Sequence, residues 1–276
     1  MLAKAKVLLT VLSFLVVWGA VWAAIAFPIF RKFNWRPFTI LSPEKKLALL
    51  FPLYLLAPLM VWGANAFLGQ SWSTIGLILT VKTVRSLIYG WGIAIVGLLL
   101  LLLLKTTLRL VTAKTGDDPT PPERTPPQSL LTLLGLLVLA LWIGGIEELV
   151  FRGWIQTQLE ITFIPWIAAT ISSTLFAMAH LIWDGRPGLW QQPGLWILGW
   201  VLVIARWADG GSLALAWGLH AGWVWGLACM GKFLQLQPAD QKPTWLVGLP
   251  DQPLTSVLDL ALMGATAGLV WWSWLA

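Results

Sequence analysis

The chain has 276 residues, 58% of them hydrophobic and only 11% charged, against about 25% charged in an average soluble domain. A water-soluble globular fold could not bury that much apolar surface and still cover itself with polar groups, so that class is excluded. The net charge of +6 does not mark a nucleic-acid binder, because the basic residues cluster in the connections between apolar runs, as suits a chain seated among anionic headgroups. The single Cys229 excludes an internal disulfide and any cysteine-rich metal site.

Val7 to Phe30 carries no charge. It is too long for a signal-peptide core and no small-residue cleavage site follows, so it reads as a retained first span. Leu47 to Val81 is also uncharged but exceeds one span, and Gly69-Gln70-Ser71 is its natural break, which predicts a helix over Leu47–Leu68. A third helix enters near Trp72 and continues to Leu104, either as one long tilted helix or as an interfacial piece followed by a span from Ser86. Lys105 to Gln128 contains Gly116-Asp117-Asp118-Pro119 and four further prolines, and reads as an exposed linker stiffened by polyproline geometry.

Ser129 is an N-cap for the next span, which runs through Glu147, Glu148 and Arg152. Ile161–His180 follows, with Pro165 in its first turn, where a missing N–H costs little. Asp184 to Gly188 forms a turn, and Gly194–Arg206 is short for a span, so it is tilted or partly covered by protein. Ser212–Met230 and Val257–Leu275 complete an all-α, polytopic transmembrane bundle of about eight spans, each needing about 20 residues. The connection Arg31–Lys46 holds five Lys or Arg against one Glu. It lies two spans from the basic Lys105–Gln128 connection, so both belong on one side, the cytoplasmic one by the positive-inside rule.

Ionisable groups inside such apolar sequence are costly, about 2.5–3.5 kcal/mol each on insertion scales, and so have partners and a task. Glu148 and Arg152 are four residues apart and can pair along one helix face. Glu147 points about 100° away from Glu148 on an α-helix and lacks a partner on its own helix. A buried carboxylate without a neutralising neighbour becomes a usable base near neutral pH. The only two histidines, His180 and His220, fall on two further spans. Phe176 sits one turn before His180, while Gly218, Ala221 and Gly222 around His220 allow another helix to approach closely. Two imidazoles and a carboxylate are a zinc ligand set for hydrolysis, here Glu147, His180 and His220. The same groups without metal can hold a water, the glutamate taking its proton. No His-Glu-x-x-His occurs, and Ser172, Ser173 and Ser212 stand in no nucleophile motif.

The string Glu147-Glu148-Leu149-Val150-Phe151-Arg152, then Phe176 to His180, then His220, resembles the ordered motifs of the CAAX protease and bacteriocin-processing (Abi) family of intramembrane proteases. The third motif is partial, because Val224 stands where the family often has asparagine. The resemblance implies a protease core over 129–230, preceded by helices and the linker of 1–128 and followed by a connection and last helix over 231–276. It implies an integral, multi-pass membrane protein whose partners are the lipid bilayer and a membrane-associated peptide or protein substrate, and the length and style of the chain suggest a bacterial plasma membrane. Glu147 would activate water with His180 beside it, Glu148 and Arg152 would hold the site, and His220 would stabilise the oxyanion, with zinc as a possible aid. Two other readings stand beside it. Val224 fits a non-proteolytic immunity or scaffold protein of the same fold. Buried ionisable residues on several spans also describe an ion-coupled transporter, although neither motif is repeated in the chain.

Overall fold

The computed structural model describes residues 2–39, 41–113, 126–239, 242–250 and 252–275. Half of the proline-rich linker expected over Lys105–Gln128, residues 114–125, lies outside these residues. In chain order the elements are α1 (Leu2–Phe33), α2 (Pro43–Leu68), α3 (Val81–Thr107), β1 (Val111–Ala113) and α4 (Pro126–Glu147). A π-helical segment, Glu148–Ile155, continues α4 into the short α5 (Gln156–Glu160). Next come α6 (Pro165–Asp184), a 3-10 turn (Arg186–Gln191), α7 (Gln192–Ala208), α8 (Ala214–Cys229), a second π segment (Met230–Leu234), β2 (Leu236–Pro238), α9 (Thr244–Val247) and α10 (Val257–Leu275).

Among the described residues, six helical stretches are long and apolar enough to cross a membrane: Leu2–Phe33, Pro43–Leu68, Val81–Thr107, Leu130–Glu160, Pro165–Asp184 and Arg186–Ala208. The expected eight spans are therefore six of membrane length plus the shorter apolar helices α8 and α10. With 16 residues, α8 reaches about 24 Å at 1.5 Å per residue, short of a roughly 30 Å hydrocarbon core. It compensates by being wrapped in protein, and most of its residues are buried.

Helix boundaries follow local chemistry. Pro43 opens α2 at its first turn, and Gly69 closes it in the left-handed conformation at φ 66°, its N–H returning to the carbonyls of Asn65 and Ala66. The third helix starts at Val81, between the two expected starts near Trp72 and at Ser86. Trp72 to Gly76 is a folded loop, and Thr80 and Thr83 cap α3 reciprocally. Gly76, at φ 82°, has no room for a Cβ, which would lie 2.2 Å from the Gly211 carbonyl oxygen. Its own carbonyl accepts from Leu213 N–H at 3.0 Å. That contact pins the loop beneath the α7–α8 turn and keeps Trp72 out of a helix.

Small residues bring the central helices together. A Cβ on Gly218 would lie 2.0 Å from the Leu87 carbonyl oxygen, one on Gly222 2.6 Å from Ala94, and one on Gly90 2.4 Å from the Leu215 carbonyl oxygen. Gly218 and Gly222 thus admit α3, while Ala221 meets Gly144 of α4 on another face. On the far side, α1 is tied to α2 by indole N–H groups: Trp18 donates to the Leu53 carbonyl at 3.1 Å and Trp22 to the Leu49 carbonyl at 3.0 Å. The antiparallel pair β1–β2 was not expected from the sequence. It staples the segment after α3 to the segment after α8, at the end of the bundle where Glu44 and Lys232 also lie within electrostatic reach.

Candidate active site

Glu147 ends α4 and Glu148 opens the π segment, so the change of helical register falls between the two carboxylates. π turns are rare and recur at functional sites. Here the wider turn lets neighbouring side chains reach the same partner. His220 Nδ1 donates to Glu148 Oε1 at 2.8 Å, while its Nε2 stands 3.5 Å from Glu147 Oε2. The α-helical reading pointed Glu147 away from Glu148. Both instead flank one imidazole.

The predicted Glu148–Arg152 pair is present, with Arg152 Nη1 3.2 Å from Glu148 Oε1 and both side chains fully buried. Arg152 also lies flat on an aromatic, its guanidinium 4.2 Å from the centroid of Phe176. Phe176 touches both histidines: its centroid is 4.7 Å from the His180 ring and 5.9 Å from that of His220. This single ring therefore links the two motif helices to the buried ion pair. His180 Nδ1 lies 2.9 Å from the Phe176 carbonyl, which can only accept, so Nδ1 carries the hydrogen and Nε2 is left as an acceptor.

Among the described residues the Glu147 carboxylate has no hydrogen-bond partner on its own helix, as expected, but it finds one on α2. The Tyr54 hydroxyl donates to Glu147 Oε1. Nothing in the motifs pointed to Tyr54. Its only signal was that it is one of two tyrosines in the chain, set within an uncharged run.

The site opens into a cavity of about 630 Å³ walled mainly by apolar side chains of α1, α2, α4 and α6, including Trp18, Trp22, Leu50 and Met178. Tyr54, Glu147, His180, His220 and Val224 line it together. A second cavity of about 340 Å³ lies towards α7 and α10 and shares His180, His220, Val224 and Lys46 with the first. Lys46 is held at the shared rim by Asp184 at 2.6 Å.

Two carboxylates and one guanidinium leave this buried group with one negative charge in excess. Isolated buried charge is expensive, so one further positive charge, a shared proton or a cation, completes the set. The donor types suit zinc: both histidines engage Nδ1 and keep Nε2 for a ligand, the arrangement in which an outer partner fixes a metal-binding imidazole. Among the described residues, however, no three His, Cys, Asp or Glu side chains are gathered closely enough to hold an ion. The match to a metal centre is in kind and not in geometry. Of the serines considered, Ser172 donates to the Phe151 carbonyl and Ser212 accepts from Ala214 N–H, both local structural roles.

A family model described as type II CAAX prenyl endopeptidase Rce1-like matches residues 129–226. That stretch contains Glu147, Glu148, Arg152, Phe176, His180 and His220, but neither Tyr54 nor the α1 and α2 walls of the cavity. No curated protein matches the chain.

Proposed function

Because residues 129–226 belong to the type II CAAX prenyl endopeptidase-like family, we propose that this multi-pass membrane protein is an intramembrane endopeptidase. Its substrate is a peptide bond of a membrane-associated protein or peptide. The observation that carries the reading is the convergence of Glu147, His180 and His220, from three separate helices, on one large apolar cavity. Such a chamber accepts a lipophilic substrate and excludes bulk water, which strengthens every charge interaction inside it.

Glu147 is the base. Its Oε1 is occupied by Tyr54, so Oε2 takes a proton from a water held between it and the imidazoles. The hydroxide adds to the scissile carbonyl carbon, and the carbonyl π pair moves onto oxygen. His220, held by Glu148 through Nδ1, stabilises that oxyanion when its Nε2 is protonated. Collapse of the tetrahedral adduct expels the amine, which takes the proton from Glu147. Arg152 balances Glu148 so that Glu148 stays an acceptor for His220. Zinc belongs to this proposal as an optional aid. Nε2 of His180 and His220 with Glu147 would hold it, and it would supply Lewis-acid polarisation of the carbonyl.

The test offers purified protein in liposomes a library of membrane-tethered peptides, with cleavage read by mass spectrometry. Removing a general base costs about 10²–10⁴ in rate, so Glu147→Ala abolishes detectable cleavage; cleavage at the wild-type rate rejects the mechanism. Elemental analysis of the wild type beside the His180→Ala, His220→Ala double variant decides the metal. A second reading, a non-proteolytic immunity or scaffold protein, draws on Val224, which lines the cavity beside His220 without a hydrogen-bond donor. A cellular phenotype rescued equally by wild type and by His180→Ala would favour it.

A further inference from the structure

Tyr54 lies on α2, outside the stretch that carries the family motifs, yet it makes the one side-chain hydrogen bond to the carboxylate of Glu147 among the described residues. An ionised carboxylate only accepts, so the phenol donates, and a bond of this charge-assisted kind is about twice as strong as a neutral one. The phenol is buried, and its ring packs edge-on to Trp142 of α4 at 5.6 Å between centroids, one turn and a residue before Glu147. Pro52 and Pro58 flank it inside α2. Pro58 has no N–H to give the Tyr54 carbonyl four residues back, which bends a helix at that turn. The local sequence thus builds a specific perch for this one side chain.

We propose that Tyr54 is a positioning residue that selects which oxygen of Glu147 does the chemistry. The assignment rests on Glu147 being the group that takes the proton of water. The terminal torsion of a glutamate is broad and roughly two-fold, so an untethered carboxylate would present either oxygen to the cavity. With Oε1 held by the phenol, Oε2 is the free oxygen, and it is the one that faces His220 Nε2 at 3.5 Å. Three other donors lining this chamber are already committed. Trp18 and Trp22 donate to backbone carbonyls, and Lys46 is paired with Asp184. Val224, at the histidine end, offers none. Tyr54 is therefore the neutral hydroxyl that this chamber uses to orient its base, and it makes the N-terminal helices part of the active centre.

Two readouts test this. Tyr54→Phe keeps the ring and its contact with Trp142 and removes only the hydroxyl. The expected result is a kcat lower by about tenfold to a hundredfold, the loss of one hydrogen bond to a charged group, with KM unchanged and only a modest drop in the thermal unfolding midpoint. An unchanged kcat, or a parallel loss of KM, kcat and stability, overturns the assignment. The second readout needs no substrate. With Tyr89, the other tyrosine and an exposed one, replaced by Phe, protein labelled with 13Cζ-tyrosine in micelles gives one resonance from Tyr54. That resonance shifts in Glu147→Gln if the bond exists, and an unshifted resonance overturns it. A wild type that cleaves nothing counts against the endopeptidase reading and the catalytic part of this assignment together. An unshifted resonance in an active enzyme counts against Tyr54 alone.

Discussion

Among the described residues two arginines are buried, and their surroundings differ in the way that separates a structural group from a reactive one. Arg206 of α7 donates through Nε to the Gly211 carbonyl at 3.2 Å and through Nη2 to Thr157 at 2.8 Å, with Nη1 3.7 Å from Glu160 Oε2. Glu160 in turn receives Trp207 and Gln156. Its paired carboxylate is Glu160, with Glu148 only in longer electrostatic reach, and Arg206 lines neither cavity. Among the described residues the Arg152 side chain has a single hydrogen bond, to Glu148, while its Nε and Nη2 find no partner. It shares its surroundings with two carboxylates and two imidazoles beside open space. Buried charge by itself therefore marks nothing. Imbalance of charge next to a cavity marks the place where a proton or cation has work to do.

The two clusters differ most in activity. Glu147→Ala removes the excess acid and lowers cleavage by about 10²–10⁴, measured as initial rate in liposomes; a similar loss from Glu160→Gln would erase the distinction between the two clusters. Stability gives the next effect. Glu148→Gln strands the Arg152 charge in the interior and costs about 3–5 kcal/mol, because breaking a buried pair leaves one ion uncompensated. Thermal unfolding in detergent should show a clear drop. Replacing both partners with apolar side chains (Glu148→Met with Arg152→Met) should recover most of that loss without recovering activity, since His220 then lacks its Nδ1 acceptor. The smallest effect belongs to the other cluster. Glu160 is partly exposed, and Glu160→Gln should cost less than about 1 kcal/mol with cleavage unchanged.

Much of this arrangement was legible before any coordinates. The four-residue spacing of Glu148 and Arg152 gave their pair, and the spacing of Phe176 and His180 gave their ring contact. The small residues around His220 announced a close helix approach, because a missing side chain constrains packing whatever the partner. The rest depended on three-dimensional context. Nothing in the residues from Glu148 to Ile155 distinguishes a π turn from an α turn, so the meeting of both glutamates at His220 was hidden. Tyr54 was hidden because its role comes from a partner 93 residues away, and no local periodicity carries that information. The start of α3 at Val81 was missed for a similar reason: Gly76 is held by Gly211 and Leu213, far along the chain.

Glu147 acts on water and does not itself attack the peptide. Cleavage of a membrane-tethered peptide under single-turnover conditions in H2(18)O tests this most directly, with the new carboxyl read by mass spectrometry. Water activation predicts one 18O in the product of the first turnover. An unlabelled carboxyl in that first turnover would mean that an oxygen came from the protein, and it would contradict the assignment of Glu147 as a general base.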